Sequence, residues 1–112
     1  MPSSPQAHSF ENGVAVSLAG EIDAYDAPAL RASFAELARD HHGETFVLDL
    51  AEVSFLDSTA LGTIVGLLRR VRESGGELRV VLPETAARRI FEVTSLDRAL
   101  DVFPDRAAAL AG

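Results

Sequence analysis

The strongest constraint on this chain is an alternation between two kinds of segment. Phe46-Val47-Leu48-Asp49-Leu50 and Leu78 to Leu82 are short runs, almost wholly apolar, and Pro83 closes the second. Runs of this length and β-branched content read as buried strands. Between them Leu61, Ile64, Val65, Leu68 and Val71 recur at helical spacing, and Gly75-Gly76 marks the stop. Strand, helix and strand in that order favour an α/β arrangement with a partly parallel sheet.

The alternation continues in both directions. Val14 to Leu18 reads as a half-buried strand, paired with His8 to Glu11 through an Asn12-Gly13 turn. Gly20-Glu21-Ile22-Asp23 reads as a loop. Pro28 then sits near the start of a helix, where its missing N–H costs little, and Leu30, Phe34, Leu37 and Ala38 form that helix's apolar stripe. His41-His42-Gly43 ends it, with Gly43 as the cap. Val53 to Leu56 leads into Asp57-Ser58-Thr59, a helix start, and that helix runs to about Ser74. Thr85 to Val93 forms a third helical pattern with Ala86, Ala87, Ile90 and Phe91 inward. Asp101 to Phe103 reads as a short edge strand, and Pro104 opens a last helix with Ala107 and Leu110 packing down. The expectation is one α/β domain over residues 8–112, preceded by a flexible tail over residues 1–7. It has a mixed four- to five-stranded sheet and about four helices packed mainly on one face.

Composition removes several classes of function. The 112 residues are 47% hydrophobic, enough for one core without covalent staples. The absence of cysteine excludes disulfides, thiol nucleophiles and thiolate metal sites. No apolar run approaches the ~20 residues of a membrane span, and the N-terminal segment lacks the basic and apolar regions of a signal peptide, so a cytoplasmic protein is expected. The net charge is −7, and all ten bases are arginine. Residues 1–57 hold ten acids and two arginines, a net −8, and the remainder is +1. Nucleic acid is disfavoured as a partner, because a phosphate backbone calls for a basic stripe. The acidity serves solubility, or it faces a basic protein partner.

No phosphate-cradling glycine loop, zinc-protease helix or nucleophile elbow occurs, so neither a cofactor nor an enzymatic activity is expected. His41 and His42 fit helix capping better than metal binding. Glu21 and Asp23 have the chemistry of an acid/base pair, but they fall in a segment that reads as a solvated loop.

The helix that begins after Asp57 is the most informative segment. Asp57 is a good N-cap for the free amide of Thr59 or Ala60. Ser58 and Thr59 follow with their hydroxyls near solvent, where the positive helix end favours an added anion. Thr59, Gly62, Thr63 and Gly66 fall on the face opposite the apolar stripe, with Arg69, Arg70 and Glu73 further along. Ala60 and Leu67 lie at the stripe's edge. Two interior glycines cost about 1 kcal/mol each relative to alanine. They reflect a partner backbone that comes close, a loop of the same chain that does so, or neutral drift.

Two motifs resemble those of the anti-sigma-factor antagonists, bacterial regulators built on a STAS domain. One is Gly20-Glu21-Ile22-Asp23-Ala24-Tyr25-Asp26-Ala27-Pro28. The other runs from Val47-Leu48-Asp49-Leu50 through Phe55-Leu56-Asp57-Ser58-Thr59-Ala60-Leu61-Gly62. The likeness spans roughly residues 9–110. It implies a partner switch. Ser58, with Thr59 as the fallback acceptor, is the site phosphorylated by an anti-sigma factor that is also an ATP-dependent serine kinase. The unphosphorylated form binds that factor and frees the sigma factor for transcription, and a metal-dependent serine phosphatase resets the phosphorylated form. The surface implied for partner binding comprises Glu21, Ile22, Asp23, Asp57, Thr59, Gly62, Thr63 and Gly66, with Glu21, Asp23, Asp26 and Asp57 as an acidic rim. Ala60 departs from the glycine common in the family.

Two other functions compete. One is a structural or regulatory subunit of another signalling or transport complex, which phosphorylation at Ser58 discriminates. The other is a small hydrolase using Ser58 or Thr59 with a carboxylate, which needs a base within hydrogen-bond reach, and no histidine has an obvious route there.

Overall fold

A computed structural model of the chain describes residues 5–84 and 87–112. Its elements are β1 (Gln6–Phe10), β2 (Gly13–Ile22), α1 (Ala27–Asp40), β3 (Thr45–Leu56), α2 (Ser58–Glu73), β4 (Glu77–Val81), α3 (Arg88–Val93), α4 (Leu96–Ala99), β5 (Asp101–Phe103) and α5 (Arg106–Ala111). The five strands form one sheet in the order β1-β2-β3-β4-β5. The β1–β2 hairpin is antiparallel and the remaining pairs are parallel. Each parallel step moves the chain one strand in the same direction. Crossovers of constant hand then put their helices on one side of the sheet.

That side holds the main core. Val14, Val16 and Leu18 of β2, Phe46, Leu48 and Leu50 of β3, and Leu78 and Val80 of β4 alternate along their strands. They meet Leu30 and Phe34 of α1, Ile64, Leu67 and Val71 of α2, and Phe91 of α3. Phe34 and Phe46 pack edge to face, with ring centroids 6.3 Å apart. The intervening residues Ala15, Val47 and Val81 face the other way, where Ala109 of α5 covers them together with Phe10 and Phe103. Both faces are therefore covered, one by four helices and the other by one.

Several boundaries differ from the sequence expectation. Gln6 and Ala7, assigned to the tail, pair with Ser17 and Val16, because an antiparallel hairpin extends as far as its partner strand permits. Residues Gly20 to Ile22 are not a loop. They extend β2 alongside Val53 to Leu56 of β3, beyond register shifts at Ser17/Ala19 and Gly20/Glu21. Thr85 and Ala86 lie outside the described residues, and the third helix is described from Arg88. Ser95, at φ 61°, separates it from the one-turn helix α4, which the periodicity does not reveal.

In α5 the buried residue is Ala109, whereas Ala107 and Leu110 are exposed. The helix starts at Arg106, whose Nε donates to Asp49 Oδ2 at 2.9 Å. Arg106 and Ala109, three residues apart, share the face turned to the sheet.

Candidate functional site

The parallel order brings the C-terminal ends of β2 and β3 together, and the chain leaves each for a helix at the same edge. Glu21 pairs with Phe55 and Ile22 with Leu56. The Asp57 amide donates to the Ile22 carbonyl at 3.2 Å. The first turn of α2 therefore stands beside the turn that leads into α1.

Asp57 uses both carboxylate oxygens. Oδ1 accepts from the Ala60 amide at 2.8 Å and caps α2. Oδ2 accepts from the Ala24 amide at 2.8 Å, across the gap to the neighbouring turn. Amide bonds to an ionised acceptor contribute about 1.5–3 kcal/mol, so this one side chain both starts the helix and fastens the turn. Within the turn the Asp23 amide donates to Asp26 Oδ2 at 3.1 Å and the Tyr25 amide to Asp23 Oδ1 at 2.9 Å. The Asp26 amide donates to the Asp23 carbonyl at 3.0 Å.

Ser58 and Thr59, the first two residues of α2, are exposed, as are Glu21 and Asp23. Gly62 is exposed and Gly66 half-buried, and a Cβ built on either has no heavy atom within 4 Å. No loop of the described chain presses on these glycines, which leaves an approaching partner or neutral drift to explain them. At four-residue spacing, Ser58, Gly62 and Gly66 follow one line along the helix surface.

Two residues expected on the partner-facing surface lie elsewhere. Ile22 is only 4% exposed, because the extension of β2 turns its side chain into the core. Thr63 is also 4% exposed, and its hydroxyl donates to the Ala60 carbonyl at 2.6 Å. The buried arc of α2 is wider than its apolar stripe because α2 packs on α1 as well as on the sheet. The same width takes Ala60 and Leu67 from the stripe's edge to full burial. The methyl of Ala60 therefore points into the core.

The exposed aromatics at this end carry no role in the sequence reading. Tyr25 is 92% exposed and Phe55 is 47% exposed.

The imidazoles stand far from Ser58. His41 caps α1 and its Nδ1 lies 2.8 Å from Glu44 Oε1. His42 shares a surface cleft with Arg70, Glu73 and Ser74 at the opposite end of α2, about 22 Å along the helix from Ser58. His8 is on the edge strand β1. None of these imidazoles supplies a base to Ser58. No described helix is long and apolar enough to cross a membrane.

Ser58 and the two glycines thus stand at the C-terminal end of an open α/β sheet with a hairpin at its edge. The chain belongs to the STAS domain family, whose model matches residues 4–109. It is 38% identical over 92 residues to the anti-sigma-B factor antagonist of Bacillus subtilis, spanning 82% of this chain and 83% of that one. Among solved structures it resembles an anti-sigma factor antagonist from Mycobacterium paratuberculosis, at TM-score 0.86 and 28% identity over 96% of this chain and 91% of that one. The same fold occurs in the Bacillus cell fate determinant SpoIIAA in its phosphorylated form, at TM-score 0.71 and 21% identity over 96% and 97% of the two chains.

Proposed function

We propose that this chain is an anti-sigma-factor antagonist whose partner binding is switched by phosphorylation of Ser58. One observation carries the proposal: Ser58 stands exposed at the head of a helix line, Gly62 and Gly66, that nothing in the described chain fills. Its similarity to anti-sigma-B factor antagonists supplies the class of partner. Unphosphorylated, the chain binds an anti-sigma factor and releases the sigma factor. The anti-sigma factor is itself the serine kinase, and a metal-dependent serine phosphatase restores the binding form. Thr59 is the alternative acceptor.

A phosphate at Ser58 brings about −1.5 to −2 charges to a helix end that tolerates anions. It stands next to the Asp57 carboxylate and at the head of the docking line. It therefore blocks docking through charge and bulk and leaves the fold in place.

The test is to mix the chain with a purified anti-sigma-B factor and ATP, then map phosphate by mass spectrometry over residues 57–63. Ser58→Ala is expected to bind with or without ATP. Ser58→Asp is expected to lose binding while its melting temperature moves by no more than about 4 °C. A wild-type chain that binds equally well after phosphorylation refutes the switch. Stable assembly into a different complex with no phosphate at Ser58 favours the structural-subunit reading.

A further inference from the structure

We infer that Tyr25 is an aromatic contact for the anti-sigma factor, and that Asp57 is the residue that positions it. The inference rests on the function proposed above and adds two roles to it. Tyr25 is the most exposed large apolar residue among those described, at 92%. A side chain on a floppy loop is a poor anchor, because binding must first order the loop. This turn is already ordered. The amides of Asp23, Ala24, Tyr25 and Asp26 are all satisfied, three of them by carboxylates. A rigid aromatic with few rotatable bonds is the kind of residue that dominates protein interfaces.

Only one of those four bonds leaves the turn, and it ends on Asp57 Oδ2. Asp57 immediately precedes Ser58, so Tyr25 is held in a fixed place relative to the proposed phosphorylation site. Capping alone needs one acceptor, which serine or asparagine also provides. The second oxygen is what aspartate adds, since the amide nitrogen of asparagine cannot accept the Ala24 bond.

Phe55, also exposed, pairs with Glu21 at the same end of β2 and β3. Asp23, Asp26 and Asp57 bond the turn that carries Tyr25, and Glu21 precedes it at the end of β2, so negative charge is concentrated at this end of the sheet. The complementary surface on the anti-sigma factor is an apolar socket bordered by arginine or lysine.

Asp57→Asn separates the two uses of the carboxylate, since its remaining oxygen still caps Ala60. Amide exchange followed by NMR is expected to speed up about tenfold at Ala24 and to stay near wild type at Ala60. Asp57→Ser, which also caps but does not reach Ala24, should behave alike. In titrations against the anti-sigma factor used above, Tyr25→Ala is expected to weaken binding about thirtyfold and Asp57→Asn about tenfold. The double variant should bind at most about fivefold more weakly than Tyr25→Ala alone, the share of the lost rim charge, because Asp57 otherwise acts through Tyr25. Unchanged exchange at Ala24, wild-type affinity for Tyr25→Ala, or additive losses overturn the inference. Failure of the wild-type chain to bind refutes the proposed function and the contact role together. The Ala24 exchange then reports separately on the hold that Asp57 exerts.

Discussion

Replacing Gly62 and Gly66 together by alanine is expected to make the chain more stable and worse at binding. Both glycines lie inside α2 with helical φ, and an added Cβ at either meets no heavy atom within 4 Å. The change therefore introduces neither strain nor collision. Each substitution recovers about 0.8–1 kcal/mol of helix propensity. With no shared partner the two effects add, to about 2 kcal/mol. For a domain of this size, that raises the melting temperature by roughly 8 °C and the urea midpoint by about 1 M. Circular dichroism at 222 nm during urea titration measures the shift, and an unchanged slope shows that the unfolded reference is the same. Affinity for the anti-sigma factor should fall about tenfold or more, since two methyl groups in a close-packed contact cost about 1–3 kcal/mol. A lower midpoint refutes the claim that the glycines are dispensable to the fold. A higher midpoint with wild-type affinity refutes the docking line and leaves neutral drift as the account of both residues.

Thr63→Val removes a hydroxyl buried against the Ala60 carbonyl within the same helix. It is expected to shift stability by no more than about 1 kcal/mol in urea titration and to leave partner affinity unchanged. Reduced affinity would return Thr63 to the docking surface. Arg106→Ala removes the partner of Asp49, whose side chain is 13% exposed but still accepts from the Ala51 amide. It should cost about 1 kcal/mol and speed amide exchange in α5. Partner affinity should hold, because α5 lies on the sheet face opposite α2.

The parts of this fold that were legible in the sequence are those whose information is local. The Asp57 cap and the stops at Gly43 and Gly75-Gly76 each depend on residues within one or two turns of chain, whereas the β1–β2 turn falls at Glu11-Asn12, one residue earlier than expected, with Gly13 already paired to Phe10. The parallel character of the sheet is legible because strands and helices alternate along the chain; the order β1-β2-β3-β4-β5 is seen only in the structure. Errors arose where a distant residue decides the outcome. Leu50, Val53 and Leu56 of β3 all face the main core at three-residue spacing, which breaks strand alternation. The pairing with β2 shifts register twice along this stretch, so the period on one strand is intelligible only with the other beside it. The width of the buried arc on α2 depends on α1, and no helical wheel of α2 alone would bury Thr63.

Two carboxylates show the same dependence on distant residues. Asp49 interrupts a run of apolar residues, and Asp57 looks like an ordinary cap. Asp49 sets the rotation of α5 from 57 residues away, through Arg106. Asp57 fixes the Tyr25 turn from 33 residues away, through Ala24. In both cases one oxygen is satisfied locally, by Ala51 or Ala60, and the other reaches across the fold. The local bond is what a sequence pattern detects. The distant one ties the turn that carries Tyr25 to the first turn of α2. Three of the four acids on the proposed docking rim spend an oxygen on ordering the turn that presents Tyr25. Loss of any one of them should therefore weaken partner binding beyond the loss of a single surface charge, which alone is worth about 1 kcal/mol or less.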